Sequence, residues 1–334
     1  MLTAMKPVIT VGNREIRPVA AALFMLAACA CFALNSVFVR LATEQGTHPF
    51  VAAFFRNLFS LGILLVMTVG RSGFGILKPK RLDLLTLRGT INGASMLAWF
   101  YAVPLLPLTD LTALGFTAPL WATVLAVLLL GEVVRWRRWV ATLIGFGGVV
   151  VILQPGFGEV HWATSLVLFS SAMWALTVIV IRHLTFIERP ETILVYQALM
   201  MAVIAGVPSI FVWTTPSGEV WIWLLSLGIL GAAAHSFHVR AYTMQEVAAL
   251  QPLDFARLPI IAVAAWAIFG EVPATAVWVG AFIVFAAGTY ISHREAQLAR
   301  RAKAAAAAAM PVADASGASG APAKATAAKQ ATSQ

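Results

Sequence analysis

GEVVRWRRWV at residues 131–140 and GEVPATAVWV at 270–279 decide how this chain is built. The second stretch repeats the first 139 residues later, with Gly131-Glu132-Val133 falling on Gly270-Glu271-Val272 and Trp139-Val140 on Trp278-Val279. The same offset carries Ile144 onto Ile283 and Phe146 onto Phe285. An offset of 142 places Phe32-Ala33-Leu34 on Trp174-Ala175-Leu176 and Arg40 on Arg182. The chain is therefore an internal duplication. Its copies differ in charge: Arg135, Arg137 and Arg138 follow the first GE pair, whereas GEVPATAV has no Lys or Arg. Basic loops stay on the cytoplasmic side of a membrane, so the two GE turns are expected at opposite faces.

Composition says why a membrane enters the argument. Of 334 residues 60% are hydrophobic and 11% charged, against roughly 25% charged in a soluble domain. Setting aside the polar start and the low-complexity end leaves a core with room for ten segments of about 20 apolar residues plus their loops. They start near Pro18, His48, Gly89, Thr109, Arg138, Trp162, Pro190, Val220, Glu246 and Ala274, and end at clusters such as EQGTH, LLPLTD, LQPGFGEV and TTPSGEV. Five spans per copy is an odd number, which inverts the second copy. The expected fold is all-α: ten transmembrane helices as two inverted five-helix repeats. Residues 1–17 form a cytoplasmic N-terminal segment, 18–154 the first repeat, 155–292 the second and 293–334 a disordered cytoplasmic tail. A soluble enzyme, a secreted scaffold and a nucleic-acid binder are excluded.

The net charge of +9 orients helices rather than attracting a polyanion. Lys6, Arg14 and Arg17 precede helix 1; Arg71, Lys78, Lys80, Arg81 and Arg88 are assigned to the loop between helices 2 and 3. Arg182 and Arg189 lie between helices 6 and 7, and Arg294, Arg300, Arg301 and Lys303 follow helix 10. Both termini are thus placed in the cytoplasm, in a bacterial inner membrane; Arg40 is the exception to the rule. Leu26-Ala27-Ala28-Cys29 imitates a lipoprotein cleavage box, but the CFALNSVFV that follows is lipid-soluble, so helix 1 is expected to run through it. Cys29 and Cys31 point in different directions on that helix and form no disulfide framework.

Inverted repeats create two similar interfaces that open to opposite sides, with a site where the halves meet. This is the architecture of a secondary transporter. The residues resemble those of the drug/metabolite transporter superfamily, specifically its ten-helix EamA-type members: the paired GE turns, FFRNLFSL in helix 2, FTAPLW in helix 4 and PLDFARLPIIAVAAWAIFGE in helix 9. The resemblance covers residues from about 18 to 292. It is nearest to S-adenosylmethionine-uptake-type carriers, with riboflavin carriers and amino-acid exporters also similar. Where those uptake carriers tend to show Tyr-Arg-Tyr-Leu-Glu, this chain has Leu253-Asp254-Phe255-Ala256-Arg257, with the charges in the opposite order. The resemblance implies a cavity lined by helices 1, 2, 3, 4, 6, 7, 8 and 9, with helices 5 and 10 peripheral, and a small organic metabolite such as an amino acid or S-adenosylmethionine as substrate.

Arg56, about eight residues into helix 2, is the first site residue. A lone guanidinium in the membrane costs at least a few kcal/mol, so it faces a structural partner, an anionic substrate group or a gate. Asp254 and Arg257 are three apart on a helix and form either a self-neutralised pair or a proton-exchanging carboxylate held by its arginine; Pro252 is expected to loosen the turn before them. His235, His238 and Tyr242 share a face of helix 8, and the 139-residue offset sets Met96 and Trp99 of helix 3 against His235 and His238. Asn92 joins that wall. Asn35 and Thr177, and Phe32 and Trp174, are mates under the second offset. Two aromatic, weakly polar walls suit a flat, partly aromatic substrate or simply pack helices together. Substrate contacts are therefore expected from Arg56, Asn35, Asn92, Trp99, Trp174, Tyr196, His235, His238, Asp254 and Arg257.

Glu132 and Glu271 are read as structural, tying the helix that follows each turn. No zinc-peptidase HExxH, phosphate loop or dinucleotide fingerprint occurs, and no catalytic residue, metal or cofactor is expected. A membrane-embedded enzyme using His235, His238 and Asp254 on a lipid-like substrate is the rival reading. A channel is disfavoured because Trp99, Trp174 and Tyr196 are large enough to obstruct it. The partners expected are a small molecule and the lipid bilayer, with proton coupling through Asp254 and a homodimer through the small residues Ala141 and Gly145 left open.

Overall fold

The computed structural model describes residues 18–73, 75, 78–130, 136–154, 161–184, 187–245 and 247–308. They form α1 (Pro18–Glu44), α2 (Pro49–Ser72), α3 (Leu82–Ala102), α4 (Leu108–Gly115), α5 (Ala118–Leu130), α6 (Trp136–Leu153), α7 (Ala163–Leu184), α8 (Pro190–Phe211), α9 (Val220–Met244), α10 (Val247–Asp254), α11 (Arg257–Phe269) and α12 (Thr275–Ala308). Among the described residues nine segments are long and apolar enough to cross a membrane, α4 running into α5 as one of them. The tenth rod, α3, is less apolar because Asp83, Thr86, Arg88, Thr90, Asn92 and Ser95 interrupt it. Val66, Leu128, Ile144, Phe211, Trp266 and Phe282 are exposed on the outside, where a bilayer would cover them.

Two rods expected to be continuous are broken. The fourth turns at Phe116-Thr117 and the ninth at Phe255-Ala256. Proline explains both, since it lacks an N–H and its ring crowds the carbonyl four residues earlier: Pro119 disrupts the turn at Gly115, and Pro259 that at Phe255. Pro252, expected to loosen the ninth rod, instead sits inside α10, and the break comes after it. At the first break the carbonyl of Leu114 accepts the Thr117 N–H at 3.1 Å, the Thr117 hydroxyl at 2.8 Å and the Ser171 hydroxyl at 3.4 Å. Phe116 and Phe255, mates under the 139-residue offset, meet with ring centroids 5.1 Å apart.

Packing follows the duplication. α1 lies along α9 as its mate α7 lies along α3; α2 contacts α9 as α8 contacts α3; α1 meets α11 as α7 meets α5; and α2 packs on its own mate α8. The small-residue stripe of α6 is used within the chain. A Cβ on Gly145 would meet Leu120 at 2.5 Å, and one on Gly148 would meet the carbonyl of Gly280 in α12 at 2.8 Å. Ala141 is buried on the same stripe, so these residues offer no free face to a second copy.

The ends of the rods are tied by carboxylates, Glu188 buried and Glu271 partly so. Glu271 pairs with Arg40 of α1, Oε1 to Nη1 3.2 Å, and its Oε2 accepts the Leu108 N–H at the start of α4 at 2.9 Å. Arg40 also donates to the carbonyls of Val103 and Leu106. Its place on the less basic side is thereby explained by a counter-ion. Glu188 Oε1 accepts the backbone N–H groups of Lys80 and Arg81 at 2.6 and 2.7 Å, joining the loops before α3 and α8. Glu132 lies outside the described residues. His48 Nδ1 caps α2 by accepting the Phe50 N–H at 3.2 Å, and burial lowers the pKa of His48, which keeps that nitrogen free to accept.

Two boundaries differ from expectation, and one run holds as expected. α3 starts at Leu82 rather than near Gly89, so Arg88 belongs to no loop: it is a buried residue of the helix. α1 runs unbroken past Cys29, which is buried with a free thiol. α12 passes the expected helix end at 292 and continues to Ala308, alanine being the strongest helix former.

Candidate functional site

Where α1, α2, α3 and α4 face α7, α8, α9 and α11, a cavity of about 100 Å³ remains. α3 contributes Asn92, Ser95, Met96, Trp99 and Phe100, a stripe at helical spacing. α7 contributes Ser170, Ser171 and Trp174, and Arg56, Gly115, Met201, His235 and Arg257 each come from a different element. α1 adds Phe32, Asn35 and Ser36.

Arg56 is the polar centre of this cavity, and only 3% of it is exposed. Its Nη1 lies 3.4 Å from Asn57 Oδ1 and 3.3 Å from Met96 Sδ, its Nη2 lies 3.4 Å from His235 Nε2, and Phe100 sits under it at 5.5 Å. Its Nε has no partner, and among the described residues no carboxylate pairs with it. The surrounding groups hold its orientation without neutralising it. Asn57 Nδ2 donates to the Ala53 carbonyl at 2.7 Å and to Met96 Sδ at 2.9 Å. Gln197 Nε2 lies 3.1 Å from His235 Nδ1 on the other side of the ring.

The walls are aromatic. Phe32 presents its edge to Trp174, His235 and His238, at centroid distances of 6.2, 5.3 and 5.8 Å. His238 stacks on Trp174 at 5.6 Å and touches Tyr242 at 4.3 Å. Trp99 Nε1 reaches Ser36 Oγ at 3.4 Å. Ser95 and Ser170 each donate to the other's carbonyl at 2.8 Å, which clamps α3 to α7 beside the cavity. Asn35 Nδ2 donates to Leu227 O at 3.3 Å and so also joins α1 to α9.

The site residues named from sequence divide into three groups. Arg56, Asn35, Asn92, Trp99, Trp174, His235 and Arg257 line the cavity together. His238 and Asp254 stand one layer behind. Asp254 Oδ2 lies 3.5 Å from Arg257 Nη2, and the Cys29 thiol lies 3.6 Å from Asp254 Oδ1. Arg257 itself spans the rings of Phe32 and Phe116 at 5.9 and 5.5 Å. Tyr196 does not join them: it packs on Leu84, Leu85, Val180, Leu184 and Ile193. One residue further along α8, a rotation of about 100°, Gln197 is the side chain that reaches His235. Ser95, Ser170, Met201 and Gln197 went unnamed because serine, methionine and glutamine inside apolar helices are common packing residues. The i, i+3, i+4 spacing of α3 was the signal for Ser95.

His235, His238 and Asp254 do not converge on one point as an enzyme's groups must. Only His235 faces the cavity, while the other two are engaged in stacking and in an ion pair. The cavity brings together aromatic faces, amides and hydroxyls, and one guanidinium.

Residues 19–154 match the EamA-like transporter family. The chain is 31% identical over 291 residues to a protein of Rhizobium johnstonii named riboflavin transporter, covering 85% of this chain and 95% of that one. It is 32% identical over 254 residues to a Rickettsia felis protein named S-adenosylmethionine uptake transporter, covering 76% and 86%. A Vibrio cholerae riboflavin transporter is 30% identical over 293 residues, covering 86% and 97%. A solved crystal structure shares the fold with a TM-score of 0.58 at 17% identity, covering 86% of this chain and 100% of that one. With its apolar helices, its duplicated packing and these relatives, the chain belongs to the EamA-like transporter family of the drug/metabolite transporter superfamily, as a multi-pass bacterial inner-membrane carrier of small molecules.

Proposed function

We propose that the protein moves a small, planar, partly aromatic metabolite by alternating access between its two five-helix halves, with a carbonyl or carboxylate edge of the substrate held by Arg56. One observation carries this reading: a buried guanidinium at the cavity centre, held by Asn57, Met96 and His235 but paired with no carboxylate among the described residues. Such a group is costly in a membrane unless an oxygen acceptor arrives to use its fork. Phe32, Trp99 and Trp174 supply the faces for the planar part. Riboflavin and S-adenosylmethionine, in the names of the relatives, both join a heteroaromatic ring to oxygen acceptors, and both fit that description.

Both termini are read as cytoplasmic from the basic loops, and Asp254 as either the structural partner of Arg257 or a proton-exchanging carboxylate. The small residues of α6 lie inside the chain and lend a homodimer no support. The reading is tested by thermal shift on the purified protein with riboflavin, S-adenosylmethionine and amino acids. A ligand at about 100 times its Kd adds roughly 2.7 kcal/mol of stability. The stabilising compound should lose its effect in Arg56→Lys, which keeps the charge but not the planar fork. Undiminished stabilisation in Arg56→Ala would remove Arg56 from the site.

A further inference from the structure

The polar stripe of α3 does not stop where the cavity stops. Asn92, Ser95, Met96 and Trp99 line the cavity, and one turn beyond Asn92 the same face carries Arg88. Arg88 is 2% exposed, its Nε has no hydrogen-bond partner, and no carboxylate among the described residues pairs with it. It lies six residues from the start of α3, about 9 Å along the axis. Arg56 enters from the other direction, seven residues from the start of α2. His235 lies 3.4 Å from Arg56 and within electrostatic reach of Arg88. Gln197, beside His235, has a buried Oε1 without a partner.

Two unpaired guanidinium groups in one apolar interior are more than packing requires. We propose that Arg88 is a second station for the oxygen-bearing end of the substrate, receiving it from Arg56 as the path opens toward the N-terminal end of α3, with His235 and Gln197 flanking the passage. The inference rests on the reading of Arg56 given above. Its physical logic is that one strong fork binds but does not release. A second fork of the same chemistry lets a carboxylate or carbonyl advance without being left unpaired in an apolar interior, and multi-site binding keeps each well shallow enough to leave.

The test uses the full-length protein with riboflavin and S-adenosylmethionine as probes. In Arg88→Gln, probe-induced stabilisation should persist while counterflow in proteoliposomes falls about tenfold, the loss of roughly one charge-assisted contact. Arg88→Lys should recover part of the rate, and Arg56→Gln should lose both binding and counterflow. Wild-type counterflow in Arg88→Gln overturns the second station. A second arm needs no known substrate: in a protein with Cys29→Ala and Cys31→Ala, Arg88→Cys should react with a charged methanethiosulfonate reagent from one membrane face. If neither probe stabilises the wild type, the choice of these substrates fails by itself, and this arm still decides Arg88. A reactive thiol then keeps the station for another oxygen-bearing compound. A thiol inert from both faces assigns Arg88 a structural role and sinks the proposal, as does a misfolded Arg88→Gln beside a fully active Arg88→Lys.

Discussion

Gly231 of α9 lies against Arg56 of α2 so closely that a Cβ there would stand 2.9 Å from Arg56 Nε and 2.9 Å from Ser60 Oγ. The absence of a side chain at 231 is what leaves the guanidinium its place. Gly231→Ala should therefore push Arg56 aside and weaken substrate binding while the helices stay packed, because the long arginine side chain gives way first. A Cβ on Gly228, one turn away, would stand 2.4 Å from the Cβ of Phe59, which has no such freedom. Gly228→Ala should cost about 1–3 kcal/mol of stability through overpacking. Thermal unfolding beside ligand titration of both variants checks the contrast; equal loss of stability in the two would refute it.

Arg40 and Glu271 join α1, the start of α4 and the end of α11, with side chains 13% and 20% exposed. Removing one partner leaves the other charge unpaired in a largely buried position. Arg40→Ala and Glu271→Ala should each cost on the order of 3 kcal/mol, and the double variant clearly less than the sum of the two. Additive losses in a double-mutant cycle would mean that the pair is not an interacting unit.

Asp254 touches both Arg257 and the Cys29 thiol. As the proton-coupling residue, Asp254→Asn should fold, retain substrate exchange and lose accumulation driven by an imposed pH gradient. As a purely structural partner, it should unfold at lower temperature and be rescued by the swapped pair, Asp254→Arg with Arg257→Asp. Uptake into proteoliposomes with and without the gradient separates the two outcomes. A stable Asp254→Asn protein that still accumulates substrate ends the coupling role.

Orientation is checked by reporter fusions after Arg81 and after Arg301, both expected to report the cytoplasm. A periplasmic signal from both would reverse the topology. Opposite signals would break the ten-span count.

The sequence by itself determined the number of rods, their duplication and their membrane setting, because each is written in one dimension: apolar runs of spanning length, a repeat at fixed offset and basic residues confined to alternate loops. It also named Arg56, Trp99, Trp174 and His235, since polar and aromatic residues inside apolar runs stand out. Tertiary structure decided what depends on rotation and depth. Tyr196 and Gln197 are neighbours in sequence, yet about 100° of helical rotation sends one to an apolar cluster and the other to His235. Arg88 reads as a loop cation because it precedes Gly89, where the third helix is expected to begin, but starting α3 at Leu82 carries it into the interior. The breaks at Phe116 and Phe255 came from prolines whose effect falls four residues upstream, and only packing shows that the two breaks meet. Sequence patterns record what each residue type tolerates; which neighbours a side chain meets depends on the three-dimensional register of helices far apart in the chain.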